Sequence, residues 1–271
     1  MSESSQLNLA MNGSNVVVTG ASSGIGRAVA IEMARQGARH VLVHYRSNLT
    51  GAEDTAAQVR SQGAEVTLTQ ADLSIDSDRR SLVDSAFHRD SSIHAWVNNA
   101  GVDVLTGEVA NLAFEEKLER LLAVDVMGTI LLSRLVVDRW SSECESGLPS
   151  SMVFIGWDQA SEGMEGEAGQ MFGPVKAAVS AFASNLAQSI APGIRVNTVA
   201  PGWVKTAWGS DTTDYWSDRA KSQSLMARWG TPEDVARAIV FLSSPKSDFI
   251  TGQTINVNGG WNRRFERKAD P

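Results

Sequence analysis

The sequence is short of the residues from which several common chemistries are built. Among 271 residues there is a single cysteine, Cys144, so no internal disulfide can form and a tetrathiolate zinc site is excluded. The four histidines, His40, His44, His88 and His94, make no paired ligand spacing on a helix, and no metal is expected. No Gly-x-Ser-x-Gly elbow or histidine falls where a serine hydrolase needs it. Tyrosine is nearly absent, with only Tyr45 and Tyr215. No apolar run approaches the length of a membrane span, and the polar start Met1 to Gly13 lacks the pattern of a signal peptide, so the expected location is the cytoplasm. Basic residues are outnumbered by acidic ones, 24 to 31, for a net charge of -7, which argues against nucleic acid as a partner. The one basic cluster, Arg263, Arg264, Arg267 and Lys268, reads as a solvated tail.

What is present is the composition of an ordinary globular protein, 42% hydrophobic and 20% charged. Short β-branched runs recur at Asn15 to Thr19, His40 to Tyr45, Glu65 to Thr69, Ala95 to Asn98, Met152 to Ile155, Ile194 to Val199 and Thr254 to Val257. Their near-continuous hydrophobicity suits parallel strands covered on both faces. Helical periodicity fills the gaps, at Gly26 to Arg35, Ala52 to Ser61, Ser77 to Arg89, Phe114 to Trp140, Gln170 to Ser189 and Pro232 to Leu242. The alternation predicts one α/β domain over 14–262, a doubly wound Rossmann sheet of about seven parallel strands with helices on both faces. A flexible segment 1–13 and the basic tail 263–271 flank it. Ligands of such sheets bind at the carboxyl ends of the strands, where the irregular stretches Gly156 to Gly169 and Pro201 to Ser217 fall.

The first strand runs into Thr19-Gly20-Ala21-Ser22-Ser23-Gly24-Ile25-Gly26. Gly20 permits a sharp turn, Gly24 lets backbone approach a pyrophosphate, and Gly26 lets the following helix pack closely. The helix N-terminus supplies free N–H donors and positive potential. This glycine spacing resembles the short-chain dehydrogenase/reductase family, and the resemblance extends from Asn15 to Gly260. It includes Ala71-Asp72-Leu73, Asn98-Asn99-Ala100-Gly101, Arg195-Val196-Asn197, Pro201-Gly202 with Thr206, and Gly252-Gln253 through Asn258-Gly259-Gly260. Within that family it resembles 3-oxoacyl-carrier-protein reductases and small alcohol dehydrogenases.

The resemblance implies a nicotinamide dinucleotide held by Gly20, Ser22, Ser23, Gly24, Ile25 and Gly26 at the pyrophosphate. Asp72 and Leu73 would lie at the adenine, and Asn99, Ala100 and Gly101 near the adenosine ribose. Pro201, Gly202, Val204 and Thr206 would lie over the nicotinamide, with Lys176 on its ribose. Asp72 equally suits a helix cap and Asn99 a simple turn former. No acid follows the second strand, where His44-Tyr45-Arg46-Ser47 stands. Arg46 and Ser47 can both bind a 2′-phosphate, which favours NADP(H) over NAD(H).

At the other end of the cofactor the family pattern breaks. The Tyr-x-x-x-Lys of active members falls on Phe172-Gly173-Pro174-Val175-Lys176, which keeps the lysine and loses the tyrosine. The family serine falls on Trp157, and the asparagine of the fourth long helix on Asp125. Phenylalanine has no proton to give, and losing a positioned acid costs on the order of 10²–10⁴-fold in rate, roughly 3–5 kcal/mol. Tyr45 belongs at the adenosine end and Tyr215 to a variable region. The candidate replacement donor is therefore Asp158, with Glu165 and Glu167 behind it; a carboxyl among Trp157, Phe172 and Trp203 would have a raised pKa. Each of these acids also suits a plain helix cap. Asp125 suits a pairing with Lys176, a bound water or the backbone of a kinked helix. Pro174 predicts a helix that kinks or begins later than the family's. Trp157, Phe172, Trp203 and Trp208 suit a flat or apolar small-molecule substrate.

Two functions fit these residues. One is an NADP(H)-dependent oxidoreductase acting on carbonyl or alcohol groups through a modified proton relay. The other is a non-catalytic dinucleotide sensor or partner subunit. The resemblance further implies a homodimer or homotetramer paired through the long helices.

Overall fold

A computed structural model describes residues 9–88, 92–142, 150–206, 209 and 212–263. Seven parallel strands form one sheet in the order β3-β2-β1-β4-β5-β6-β7: β1 (Asn15–Val18), β2 (His40–Tyr45), β3 (Glu65–Gln70), β4 (Ala95–Asn98), β5 (Ser150–Ile155), β6 (Ile194–Pro201) and β7 (Thr254–Val257). The helices of two turns or more are α1 (Gly24–Arg35), α2 (Leu49–Ser61), α3 (Asp76–Phe87), α4 (Phe114–Leu121), α5 (Thr129–Ser142), α6 (Gly166–Ile190), α7 (Asp214–Gln223) and α8 (Pro232–Ser243), with a single turn at Gln159–Glu162.

Parallel strands cannot be joined by hairpins, so each crossover places a helix on a sheet face. Alternate residues of each strand then bury on opposite sides. Val16, Val18, Val41 and Val43 pack with Val29 and Met33 of α1, Val59 of α2 and Ile239 of α8. Val17, Leu42, Trp96 and Phe154 pack with Leu82 of α3, Leu132 and Val136 of α5 and Val179 and Ala183 of α6. The two inner faces explain why five of the seven strands carry little alternation in sequence. Only the edge strands β3 and β7 are partly exposed.

Three expectations are corrected. Residues 10–13 are part of the packed domain: Met11 is buried, its N–H donates to the Gln36 carbonyl (2.9 Å), and the Gly13 N–H donates to Gly37 (2.9 Å). The segment expected as one helix from Phe114 to Trp140 is interrupted by a π-helical stretch, Leu122–Gly128, between α4 and α5. Finally, α6 does not start late at Pro174: it begins at Gly166 and runs through it. Proline there costs one hydrogen bond, to the carbonyl of Gln170, and Gln170 is exposed, so water can replace the lost donor. Cys144, Trp208, Met1 to Asn8 and the tail cations Arg264, Arg267 and Lys268 lie outside the described residues.

Candidate active site

The carboxyl ends of β1 and β4 diverge, because the chain leaves β1 toward β2 on one side and β4 toward β5 on the other, and a cleft opens there. The loops flanking it are stitched together. Thr19 Oγ1 accepts the N–H groups of Asn99 (2.9 Å) and Ala100 (3.0 Å), and Asn99 Nδ2 donates back to the carbonyls of Thr19 (2.9 Å) and Gly20 (3.0 Å). Gly20 has φ +63° and approaches Ala100 so closely that a Cβ would stand 2.7 Å from its Cα. A Cβ on Gly26 would drive into the Gly20 carbonyl and the Asn99 amide, so glycine at both places is a steric requirement.

The cleft measures about 780 Å³. Gly20, Ser22, Ser23, Gly24 and Ile25 of the glycine turn line it, together with Arg46 and Ser47, Asp72 and Leu73, Asn99, Ala100 and Gly101, and Thr206. Gly26 lies just behind the lining. The side chain of Ser23, the residue before α1, makes no capping bond, so the helix presents its first N–H groups without a side-chain acceptor. Asp72 Oδ1 accepts from the N–H (2.9 Å) and hydroxyl (2.6 Å) of Ser74. Partial burial works against ionisation, but these bonds and the Arg46 charge hold the carboxyl below its usual range. The cleft therefore combines a donor-rich glycine turn, a cation and an acceptor carboxylate, which fits a dinucleotide phosphate backbone with its adenosine beside Arg46.

A second cavity of about 520 Å³ adjoins the first through the shared residues Ile25, Leu105, Ile155 and Thr206. Its walls are Trp157, Met164, Ala168 and Phe172 on one side and Trp203, Trp216 and Trp229 on the other, with Pro201, Gly202, Val204 and Lys176 at the base. The Trp157 and Phe172 rings meet edge to face, 6.4 Å between centroids. Trp203 contacts Trp216 (5.7 Å) and Trp229 (6.0 Å) and donates its indole N–H to Gln223 (2.9 Å). Arg219 of α7 stacks over Trp216 and Trp203, at 5.2 and 5.8 Å from the ring centroids, and forms a two-pronged ion pair with Glu165, one arm at 2.8 Å. That pair ties the two walls together.

Lys176 is the titratable side chain at the base of this cavity. Its Nζ donates to Asp125 Oδ2 at 3.0 Å, while Asp125 Oδ1 accepts the Val102 N–H at 2.8 Å. The π-helical stretch carries Asp125 inward, where its side chain is 2% exposed. The pairing with the lysine is thus formed, while the backbone group Asp125 satisfies is the Val102 N–H in the loop after β4, not one in a kinked helix.

Asp158 is not brought to the cavity, contrary to expectation. Trp157 turns inward, and the next side chain turns away, so that Asp158 Oδ2 accepts from Asn258 Nδ2 (2.9 Å) behind the wall and Oδ1 has no partner among the described residues. Burial pushes its carboxyl up to about 6 against the opposing pull of Asn258, but that perturbation belongs to a packing position. Glu165 is exposed, and the Arg219 guanidinium pulls it down to about 2; Glu167 is also exposed. Tyr215 is exposed beside Arg219, not turned inward. Trp216 and Trp229 carried no signal beyond being tryptophans near a variable loop. His44 carried one, as a polar residue in an otherwise apolar strand.

A family model described as enoyl-(acyl carrier protein) reductase matches residues 20–262. The uncharacterised oxidoreductase YgfF of Escherichia coli K12 is 34% identical over 248 residues, covering 90% of this chain and 98% of that protein. The 3beta-hydroxysteroid dehydrogenase 1 of Eggerthella lenta is 31% identical over 257 residues, covering 92% and 94%. Among solved structures, a short-chain dehydrogenase from Burkholderia cenocepacia J2315 in complex with NADP superposes with a TM-score of 0.80 at 26% identity, over 93% of this chain and 98% of that one.

Proposed function

Because the chain belongs to the short-chain dehydrogenase/reductase family and is an oxidoreductase of that type, we propose that it transfers hydride between NADP(H) and the carbonyl or alcohol carbon of a small, flat, apolar substrate, with a proton relay that lacks tyrosine. The observation that carries this reading is the continuity of the two spaces: a phosphate-binding cleft runs at Thr206 and Ile155 into an aromatic cavity with an ammonium at its base. A bound dinucleotide supplies the hydride. Gly20 to Gly26 hold its pyrophosphate, Arg46 and Ser47 its 2′-phosphate, and Lys176 its nicotinamide ribose.

Arg46 and Ser47, with no acid beside them, support NADP(H), and the Burkholderia relative's NADP complex agrees in kind. The apolar rings of the cavity support a hydrophobic substrate, as the name of the Eggerthella relative does for that protein. The proton reaches the substrate oxygen from Lys176 directly or through a water it holds, because neither Phe172 nor Trp157 carries an acid. Asp125, bonded to its Nζ at 3.0 Å, holds the lysine in place. The family's usual assembly is proposed as well, a dimer or tetramer paired through α4–α5 and α6, together with a cytoplasmic location. Among the described residues, no helix is long and apolar enough to cross a membrane.

The test is NADPH oxidation against a panel of aromatic and alicyclic ketones and aldehydes, run beside NADPH and NADH binding titrations. Turnover of an apolar carbonyl with NADPH preferred is the expected result. Tight NADPH binding with no oxidation by any compound would instead identify a dinucleotide-binding protein without hydride transfer. The double variant Trp157→Ser with Phe172→Tyr rebuilds the missing donor, and its gain in rate measures what the native relay lacks.

A further inference from the structure

We propose that His44 is a positioning residue of the dinucleotide cleft, which holds the glycine-rich turn in its binding geometry through a neutral imidazole with its proton on Nε2. The inference rests on the dinucleotide reading above.

His44 is the fifth residue of β2, whose six residues are all buried. Its Nδ1 lies 3.0 Å from the Gly20 backbone nitrogen, and its Nε2 lies 3.0 Å from the Ala71 carbonyl oxygen. A backbone N–H only donates and a backbone carbonyl only accepts. The two partners therefore fix the tautomer: Nδ1 is bare and accepts, and Nε2 carries the proton and donates. The carbonyl of His44 accepts the N–H of Ala21 at 2.9 Å as well. Two consecutive N–H groups of the glycine turn thus end on one residue, at the point where Gly20 takes a left-handed φ of +63°.

That anchorage divides the donors of the turn. The N–H groups of Gly20 and Ala21 are committed to His44, which leaves those at the start of α1 to face the cleft. The other ring nitrogen ties the turn to Ala71, the residue before Asp72. One side chain therefore sets the spacing between the glycine turn and the Ala71-Asp72 segment, which line the same cleft. Burial keeps the imidazole neutral, with its pKa pushed down to about 4, so the arrangement holds through the physiological range.

Two near-isosteric substitutions separate the two bonds. In His44→Asn the side-chain oxygen can take the place of Nδ1 and accept from Gly20; in His44→Gln the side-chain amide can take the place of Nε2 and donate to Ala71, leaving Gly20 without an acceptor. NADPH is titrated into the full-length wild type and both variants by calorimetry, with thermal unfolding recorded with and without NADPH. The Asn variant should bind within a few-fold of wild type, and the Gln variant about tenfold or more weaker. A merely structural histidine would lower the melting temperature of free and bound forms alike, whereas a positioning role shrinks the NADPH-induced shift in the Gln variant only. Equal affinities in the two folded variants, or the reverse order, would overturn the proposal. So would ¹⁵N NMR of the wild type showing a protonated Nδ1, a measurement that stands even if a variant fails to fold. Absence of any NADPH or NADH binding by wild type would instead sink the functional reading itself.

Discussion

Replacing Lys176 by methionine removes the cation bonded to Asp125 while conserving most of the side-chain volume. The consequence follows from an asymmetry in the pair, since the Asp125 side chain is 2% exposed and that of Lys176 16%. Asp125 Oδ1 keeps the Val102 N–H, but Oδ2 loses its donor at 3.0 Å. Stranding a buried carboxylate costs about 3–5 kcal/mol. Water from the adjoining cavity can enter the vacated position and reduce the penalty, so the low end, about 3 kcal/mol, is expected. For a chain of this size that is a fall of roughly 6–12 °C in melting temperature. Asp125→Asn should cost less, about 1 kcal/mol, because the amide oxygen still serves Val102 and cavity water reaches the lysine. The double variant Lys176→Met with Asp125→Asn should recover part of the loss, with a coupling of about 2 kcal/mol. Urea and thermal unfolding of the ligand-free protein at pH 7.5 read all four corners of this cycle. A Lys176→Met protein within 1 kcal/mol of wild type, or an additive double variant, would refute the claim that the pair is desolvated.

The remaining expectations concern Asp158, His44 and Arg46. The folded pKa of Asp158, about 6, lies above the ordinary aspartate value of 3.8, so its favourable contribution is present at low pH and lost as pH rises through 6. Asp158→Asn should accordingly stabilise the protein by about 2 kcal/mol at pH 8, do little at pH 3.5, and leave turnover intact; a variant that folds but loses turnover would restore Asp158 as the proton donor. His44 has the opposite sign: its folded pKa of about 4 lies below 6.5, so stability is complete above pH 6.5 and falls by about 3 kcal/mol as pH drops toward 4. The acid limb of a stability-versus-pH curve should therefore be flatter in His44→Asn, and an unchanged limb would count against a buried neutral ring. Arg46→Glu should weaken NADPH binding at least tenfold while sparing NADH, and equal losses for both cofactors would remove Arg46 from the 2′-phosphate.

The fold was legible because each strand is a buried apolar run and each crossover an amphipathic helix, a pattern that depends on side-chain type and little on exact packing. Strand ends moved by at most two residues, as with Ser150 and Pro201 at the ends of β5 and β6. The glycine turn was legible for a similar reason, since Gly20 and Gly26 are demanded by backbone contacts that no other residue satisfies. What failed to show were side-chain directions. Asp158 sits one residue from Trp157, and nothing in their order says which of the two faces the cavity; the Asn258 amide, a hundred residues away, decides it. The π-helical stretch was equally hidden, because an extra residue per turn leaves no mark on a hydrophobic pattern already broken by Asp125.

These hidden contacts alter the chemistry more than the visible substitutions do. Loss of tyrosine and serine alone describes a damaged reductase. The structure adds that Asp125 is buried and paired with Lys176 and that the Phe172 and Trp157 rings pack edge to face. In a site left to decay, independent losses would leave a cavity or an unpaired charge, each costing stability. Here the replaced positions partner one another, with Asp125 on the surviving lysine and Trp157 on Phe172. That packing supports the proposed reading of a site that works without tyrosine.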